Sequence, residues 1–194
     1  MNLIEIIKDE FIWVIIILTF LVFSNSLKNS IVWDDHAFIS NQNHSQFPPI
    51  IKIIDGSYPV PDTGSYRPVR NAVYAVTINT LKENPYLHHL LVLSTHIICS
   101  TLVYILLKLI SENNLATKIG AILFSLHPIH TESINWITAG YDLFFIAFYL
   151  LAVIFHINSR KNDLSNSISY IFSNLKNSGG RAEILLLHRS KEYN

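Results

Sequence analysis

The sequence has few charged residues and no excess of either sign. Only 14% of its 194 residues are charged, with 14 basic and 14 acidic side chains, whereas soluble domains carry about a quarter. Without a basic excess, the chain does not suit nucleic-acid binding, which needs a positive face. The single cysteine, Cys99, lies in an apolar run, so we expect neither an intramolecular disulfide nor a cysteine-based metal site.

Hydrophobic residues make up half of the sequence, which excludes a disordered chain and indicates an all-α integral membrane protein. Four apolar stretches predict transmembrane helices at residues 11–27, 84–107, 119–131 and 143–159. The first has no small-residue cleavage site at its end, so we expect a retained span and not a signal peptide. The third is short, because His127-Pro128 should push its last residues out of helical geometry.

Lysine and arginine in the connections predict the topology of these spans. Lys108 and Lys118 flank the link between the second and third spans, and Arg160-Lys161 follow the fourth, whereas the link between the third and fourth has none. We therefore expect cytoplasmic segments at 1–10, 108–118 and 160–194, and extracytoplasmic segments at 28–83 and 132–142. The last cytoplasmic segment is an Asn-, Ser- and Gly-rich tail. The two extracytoplasmic segments should converge.

Two adjacent carboxylates, Asp34 and Asp35, follow the first span in the long extracytoplasmic loop. Because two like charges this close disfavour each other's ionisation, one of the pair is suited to accept a proton near neutral pH. The alternative is that the pair is solvated or caps a helix. The sequence alone does not distinguish between the two aspartates as the base.

Two arginines later in the same loop suit phosphate binding. Pro68 fits the first turn of a helix, and the apolar residues of 72–81 predict a short helix lying along the membrane surface. Arg67 and Arg70 lie three residues apart on one face of that helix. A forked guanidinium donates two hydrogen bonds at once to a phosphate, which here belongs either to a substrate or to ordinary lipid headgroups.

The region from the end of the third span through the second extracytoplasmic segment contains two histidines and two carboxylates: His127, His130, Glu132 and Asp142. His127, His130 and Glu132 are weak candidates for a divalent-cation site, because their spacing is not that of a zinc peptidase helix. The alternatives are that these residues support a site by hydrogen bonding, or that they are solvated residues of a turn. A small metal or ion transporter is the least favoured function, because the ionisable residues cluster at one end instead of lining a path across the membrane.

Taken in order, these motifs resemble the N-terminal part of a known enzyme family. The motifs are Trp33-Asp34-Asp35, Ser65-Tyr66-Arg67-Pro68, Asn84-Pro85 with His89 and His96, and His127-Pro128-Ile129-His130-Thr131-Glu132-Ser133 with Trp136 and Asp142. This set is similar to the TMTC-like (transmembrane and tetratricopeptide repeat-containing) protein O-mannosyltransferases and their microbial relatives in the GT-C glycosyltransferase superfamily. The resemblance covers about residues 10 to 158.

The resemblance implies an enzyme that transfers a sugar, usually mannose, from a polyprenyl-phosphate carrier to a hydroxyl of a protein or glycan, with inversion, on the non-cytoplasmic face. It gives Asp34 and Asp35 the catalytic role and implies that Arg67 and Arg70 bind the donor phosphate. The side chains that would support the site are Tyr66, His127, His130, Glu132 and Asp142. No cofactor is required, because a lipid phosphate is already a good leaving group.

Two departures from the family pattern bear on this hypothesis. Gly140 stands where relatives usually carry an arginine, and relatives continue through further membrane helices beyond the point matching Ser190-Lys191-Glu192. We therefore expect a truncated member of the family that lacks much of the groove for the lipid carrier, in the plasma membrane of a prokaryote or the endoplasmic reticulum of a eukaryote. The alternative is a non-catalytic multi-span protein, either a degenerate copy or a helical partner subunit.

Overall fold

The computed structural model describes residues 3–39, Lys52 and 68–161, and this part of the chain is helical with no β-strand, which confirms the all-α prediction. The helices are α1 (Leu3–Ile7), α2 (Phe11–Phe23), α3 (Asp35–Ile39), α4 (Pro68–Leu81), α5 (Pro85–Ile110), α6 (Asn114–Leu126), α7 (His130–Asn135), α8 (Ile137–Gly140) and α9 (Asp142–Lys161). A 3-10 turn, Ser24–Lys28, extends α2. The chain divides into two units, residues 1–152 and 153–194, and of the second the structure describes only the last turns of α9.

Among the described residues, three helical stretches are long and apolar enough to cross a membrane: Phe11–Lys28, Pro85–Ile110 and Ile137–Ser159. The longest, α5, has 26 residues and is therefore about 39 Å long. A bilayer's hydrocarbon core is about 30 Å thick, so α5 can cross it with some tilt. These lengths support an integral membrane protein.

The short apolar helix α6 lies five residues earlier than the predicted span at 119–131. It begins after Asn113, whose side chain accepts a hydrogen bond from the Ala116 N–H at 3.0 Å, and it contains Lys118. It ends because His127, which precedes a proline, has an extended backbone with ψ of 131°. With 13 residues, α6 is about 20 Å long, which is too short to cross the hydrocarbon without tight packing against neighbours.

Other helix boundaries also differ from the predicted ones. The prediction ended a helix at a charged or turn-forming residue, but these helices continue past such residues. Helix α5 continues past Lys108 to Ile110, since a lysine near a helix end can carry its charge away on a long aliphatic stem. The predicted turn at 132–142 is helical, and the last apolar stretch begins at Ile137 instead of 143. Only Tyr141 separates α8 from α9.

Helix α5 is the centre of the first unit and contacts α1, α2, α4, α6, α7 and α8. Its buried hydroxyls bond to carbonyls one turn earlier, as Thr95 does to Leu91 and Ser100 to His96, so they need no partner in another helix. His96 reaches α6 instead, where its Nε2 lies 3.1 Å from the Ser125 carbonyl oxygen, and its ring packs edge-on against Phe23 of α2. These contacts pack α2 and α6 against the same face of α5.

A carboxylate joins α2 to α5 at the end of the bundle near the N-terminus. Asp9 Oδ1 accepts a hydrogen bond from the Phe11 N–H at 3.0 Å, and Asp9 Oδ2 accepts one from the Tyr104 hydroxyl at 2.6 Å. The Lys108 Nζ lies 3.5 Å from the same oxygen. The hydrogen bond from Tyr104, helped by Phe11 and Lys108, lowers the pKa of Asp9 below its usual value.

Gly140 fits a place that has no room for a side chain. A Cβ added there would lie 2.4 Å from Val92 Cγ1 and 2.7 Å from the Ser133 carbonyl oxygen. At Gly120 of α6, by contrast, the nearest atom to an added Cβ is the end of the Leu107 side chain at 3.3 Å. The glycine where relatives usually carry an arginine is therefore required by the packing of α8 against α5.

We predict that Gly140→Ala lowers the free energy of unfolding by about 1–3 kcal/mol, because the methyl group must push α8 away from α5. Gly120→Ala is the matched control, and it should be neutral or stabilising by up to about 1 kcal/mol, because alanine is the better helix former. Thermal unfolding of the detergent-solubilised protein measures both. Equal melting temperatures for the two variants would contradict the packing argument.

We also predict that Asp9→Asn destabilises the protein by about 1–3 kcal/mol at neutral pH, because the bonds to the carboxylate are weakened. Since the pKa of Asp9 is lowered in the folded protein, its contribution is present above the ordinary value of 3.8 and is lost as the pH falls through the lowered value. The gap between wild-type and variant melting temperatures should therefore close below about pH 3.8. Glu10→Gln, a change at an exposed neighbour, is the control and should leave the melting temperature unchanged at neutral pH.

Candidate functional site

Two segments distant in sequence meet at the end of the bundle opposite Asp9. The Asn29 side-chain amide donates a hydrogen bond to Asn135 Oδ1 at 2.7 Å, and the rings of Trp33 and Trp136 pack edge-to-face with centroids 5.6 Å apart. The segment after α2 and the region of α7 and α8 are thus in contact, as the pattern of lysines and arginines predicted. The side of the membrane that this end faces stays a prediction.

The contact between these segments depends on the buried Asp35 carboxylate. Its Oδ1 accepts hydrogen bonds from the Thr138 N–H at 2.8 Å and the Thr138 hydroxyl at 2.6 Å. Its Oδ2 accepts weaker bonds from the N–H groups of Ile137 at 3.3 Å and Val32 at 3.4 Å. The amides of Ile137 and Thr138 begin α8 and have no partner within that helix. Asp35 therefore caps α8 from another part of the chain.

Asp34 lies in the opposite environment. Its side chain is exposed, whereas Asp35 has no exposed surface. The preceding residue, Trp33, has a φ of 48°, in the left-handed region that side chains other than glycine rarely adopt. This turn directs one carboxylate into the protein and leaves its neighbour at the surface. The structure thus distinguishes two aspartates that the sequence could not.

Helix α4 contributes a tyrosine that contacts the Asp35 cap. Tyr74 is buried close to the Thr138 side chain, and its ring packs edge-to-face against Tyr141 with centroids 4.8 Å apart. Burial raises the pKa of Tyr74 far above its ordinary value, so the hydroxyl stays protonated at every physiological pH. The sequence pattern gave no sign that Tyr74 and Thr138 belong to the site.

Arg70 is buried on the same helix, which argues against the alternative that it binds ordinary lipid headgroups. Its side chain is 5% exposed, and its Nη1 lies 3.9 Å from Asp142 Oδ2. Within the part of the chain that the structure describes, its Nε and Nη2 have no hydrogen-bond partner. A buried guanidinium with unpaired donors is costly, and an anion would satisfy it. Arg67 and Tyr66 lie outside the described residues.

The first turn of α5 adds a hydrogen-bonded histidine to this cluster. The His88 Nε2 lies 2.7 Å from the Lys82 carbonyl oxygen, and because a carbonyl only accepts, this nitrogen carries the hydrogen. The His88 Nδ1 then accepts a hydrogen bond from the Tyr141 hydroxyl. Tyr141 also contacts Thr77 of α4. His88 thereby fixes the end of α4 and the start of α9 around the first turn of α5.

The remaining candidates from the sequence do not come together. His127 is exposed and accepts a hydrogen bond from the Ile129 N–H at 3.1 Å, whereas the His130 ring packs against His96 at 4.7 Å. Glu132 is exposed and faces a cleft. Across residues 3–39 and 68–161, no group of three His, Cys, Asp or Glu side chains could hold a metal ion. These three residues therefore do not form a metal site.

The chain is similar to curated proteins named protein O-mannosyl-transferases. It is 26% identical over 144 residues to Tmtc1 of Drosophila melanogaster, 26% over 148 residues to human TMTC3, and 28% over 137 residues to F38B6.6 of Caenorhabditis elegans. The alignments cover 70%, 73% and 65% of this chain, but only 16%, 16% and 20% of those relatives. No protein-family model and no solved structure matches the chain. The similarity supports a relationship to the TMTC-like mannosyltransferases.

We predict that Asp35→Asn destabilises the protein by about 2–3 kcal/mol, because the amide turns a donor toward the backbone N–H groups of α8 and loses the charge that strengthens their bonds. Asp34→Asn is the matched control and should change the free energy of unfolding by less than about 0.5 kcal/mol, because Asp34 is exposed. Thermal unfolding in detergent measures both. A stable Asp35→Asn protein would contradict the capping role.

Proposed function

We propose that the protein is a membrane mannosyltransferase of the GT-C type, which transfers mannose from a polyprenyl-phosphate donor to a serine or threonine hydroxyl on the non-cytoplasmic face. One observation carries the proposal: a buried carboxylate, Asp35, anchors an exposed one, Asp34, at the end of an apolar helix bundle. The similarity to proteins named O-mannosyl-transferases gives the reaction class.

Asp34 is the general base of this reaction. The acceptor oxygen attacks the anomeric carbon, the bond from that carbon to the phosphate oxygen breaks, and the polyprenyl phosphate leaves with the electron pair. The hydroxyl proton passes to Asp34, which is exposed and can reach a substrate. Asp35 is a positioning residue, because its oxygens already accept four hydrogen bonds and it has no exposed surface.

Arg70 binds the phosphate of the donor in this scheme. Its Nε and Nη2 have no hydrogen-bond partner among the described residues, and they lie on one edge of the guanidinium. This edge can donate two hydrogen bonds to two phosphate oxygens, while Nη1 lies near Asp142. A cation already in place stabilises the charge that grows on the phosphate as the carbon–oxygen bond breaks. Arg67 is a second candidate for the phosphate, and Tyr66 for support of the site, by the family resemblance alone. A metal ion is not needed, because polyprenyl phosphate leaves readily and Arg70 supplies positive charge.

We predict that Asp34→Asn lowers mannosyl transfer by about 10²- to 10⁴-fold, the usual contribution of a general base, and leaves the melting temperature unchanged. The assay incubates membranes that contain the protein with polyprenyl-phosphate [³H]mannose and serine- or threonine-containing peptides, and counts label in the peptides. Glu112→Gln is the matched control, because Glu112 is an exposed carboxylate in the link between α5 and α6.

Two outcomes would contradict the proposal. Wild-type rates in the Asp34→Asn membranes would remove Asp34 as the base. Absence of transfer by the wild-type protein from every polyprenyl-phosphate sugar and peptide tried would favour the alternative, a non-catalytic membrane protein that acts as a helical partner. Co-purification of a second membrane protein would then support that alternative.

A further inference from the structure

A cleft of about 490 Å³ is lined by Trp33, the residue before Asp34, and by neither Asp35 nor Arg70. Residues of the segment after α2 form one wall, and residues of α7 and its C-terminal end form the other. Its side chains include Asn29, Trp33, Thr131, Glu132, Asn135 and Trp136. The volume falls within the roughly 300–1,000 Å³ that small-molecule sites occupy. The two walls are fixed relative to each other, because Asp35 bonds to both Val32 and Ile137.

The tryptophans provide this cleft with an open aromatic surface. Trp33 is 77% exposed although it packs edge-to-face against Trp136, so one face of its ring is open. Its backbone φ of 48° costs energy, and strain of this kind persists where a side chain must be held in one place for function. The face of a pyranose ring carries C–H groups that pack well on the face of an indole.

The polar groups of the cleft suit hydroxyls and not phosphates. Glu132 presents an exposed carboxylate, which only accepts hydrogen bonds, and the Asn29 side-chain oxygen has no hydrogen-bond partner among the described residues when its amide donates to Asn135. No lysine or arginine lines the cleft among the described residues. A phosphate would meet the negative charge of Glu132, whereas sugar hydroxyls can donate hydrogen bonds to it.

From this combination we infer that the cleft binds the hexose ring of the glycolipid donor. The inference rests on the proposed function and adds a sugar site to it. The sugar stacks on Trp33 and Trp136, and its hydroxyls donate hydrogen bonds to Glu132. Because Asp34 directly follows Trp33, a hexose stacked on that ring lies near the proposed base, while the phosphate is directed to Arg70 outside the cleft.

Tryptophan fluorescence tests this site directly, because the chain has only three tryptophans. Trp13→Phe removes the one in the first span and leaves Trp33 and Trp136 as the only reporters. This variant, in a detergent without sugar groups, is titrated with methyl α-mannoside, glycerol or a short polyprenyl phosphate. We predict a saturable change in emission with the mannoside and none with the other two compounds.

Glu132→Gln in the same background should weaken mannoside binding by about ten-fold or more, because the hydrogen bonds lose their charged acceptor. Glu83→Gln is the matched control, since Glu83 is an exposed carboxylate in the turn between α4 and α5 and does not line the cleft. In the transfer assay, Glu132→Gln should raise the KM for the donor more than it lowers kcat. The melting temperatures of both variants should equal that of the parent.

The outcomes separate this inference from the proposed function. Absence of a saturable response to the mannoside would overturn the sugar site even if the protein transfers mannose. Equal responses to the mannoside and to polyprenyl phosphate would also overturn it, by assigning the cleft to the lipid. Mannoside binding without any transfer would instead support the sugar site and contradict the enzyme.

Discussion

The hydrogen bonds that Asp35 accepts hold the functional end of this protein together. They join a short turn after the first apolar helix to the first amides of α8, more than a hundred residues away. Because the acceptor is a buried carboxylate, each of these bonds is stronger than one between neutral groups, and removing one partner would leave the others unsatisfied in a dry environment. The cleft lined by Trp33 and Trp136 and the placement of Asp34 both depend on this junction.

Two adjacent aspartates thus lie in different environments, and the cause is the backbone turn that precedes them. The left-handed conformation of Trp33 turns the chain so that Asp35 enters the protein while Asp34 stays at the surface. A family motif of two acidic residues need not mean two catalytic acids. In this chain one carboxylate is buried and caps α8, and the other is exposed at the surface.

The polar groups of the bundle follow the constraint that a membrane imposes. Hydroxyls in its middle, such as Ser100, bond within their own helix, whereas the charged groups gather at the two ends. At one end Asp9 caps α2 and accepts from Tyr104, and at the other Asp35 caps α8. Gly140 shows how closely α5 and α8 pack, because any side chain at this position would require the two helices to separate.

The sequence by itself determined the helical class, the presence of long apolar helices and the meeting of the two polar segments at one end, because hydropathy and charge depend on local composition. It also identified the acidic pair and placed Pro68 in the first turn of a helix. Only the tertiary structure decided that Asp35 caps α8, that Arg70 is buried, and that Tyr74 and Thr138 belong to the site. The partners of these side chains come from other helices, and their contacts depend on how whole helices pack, which no local pattern records.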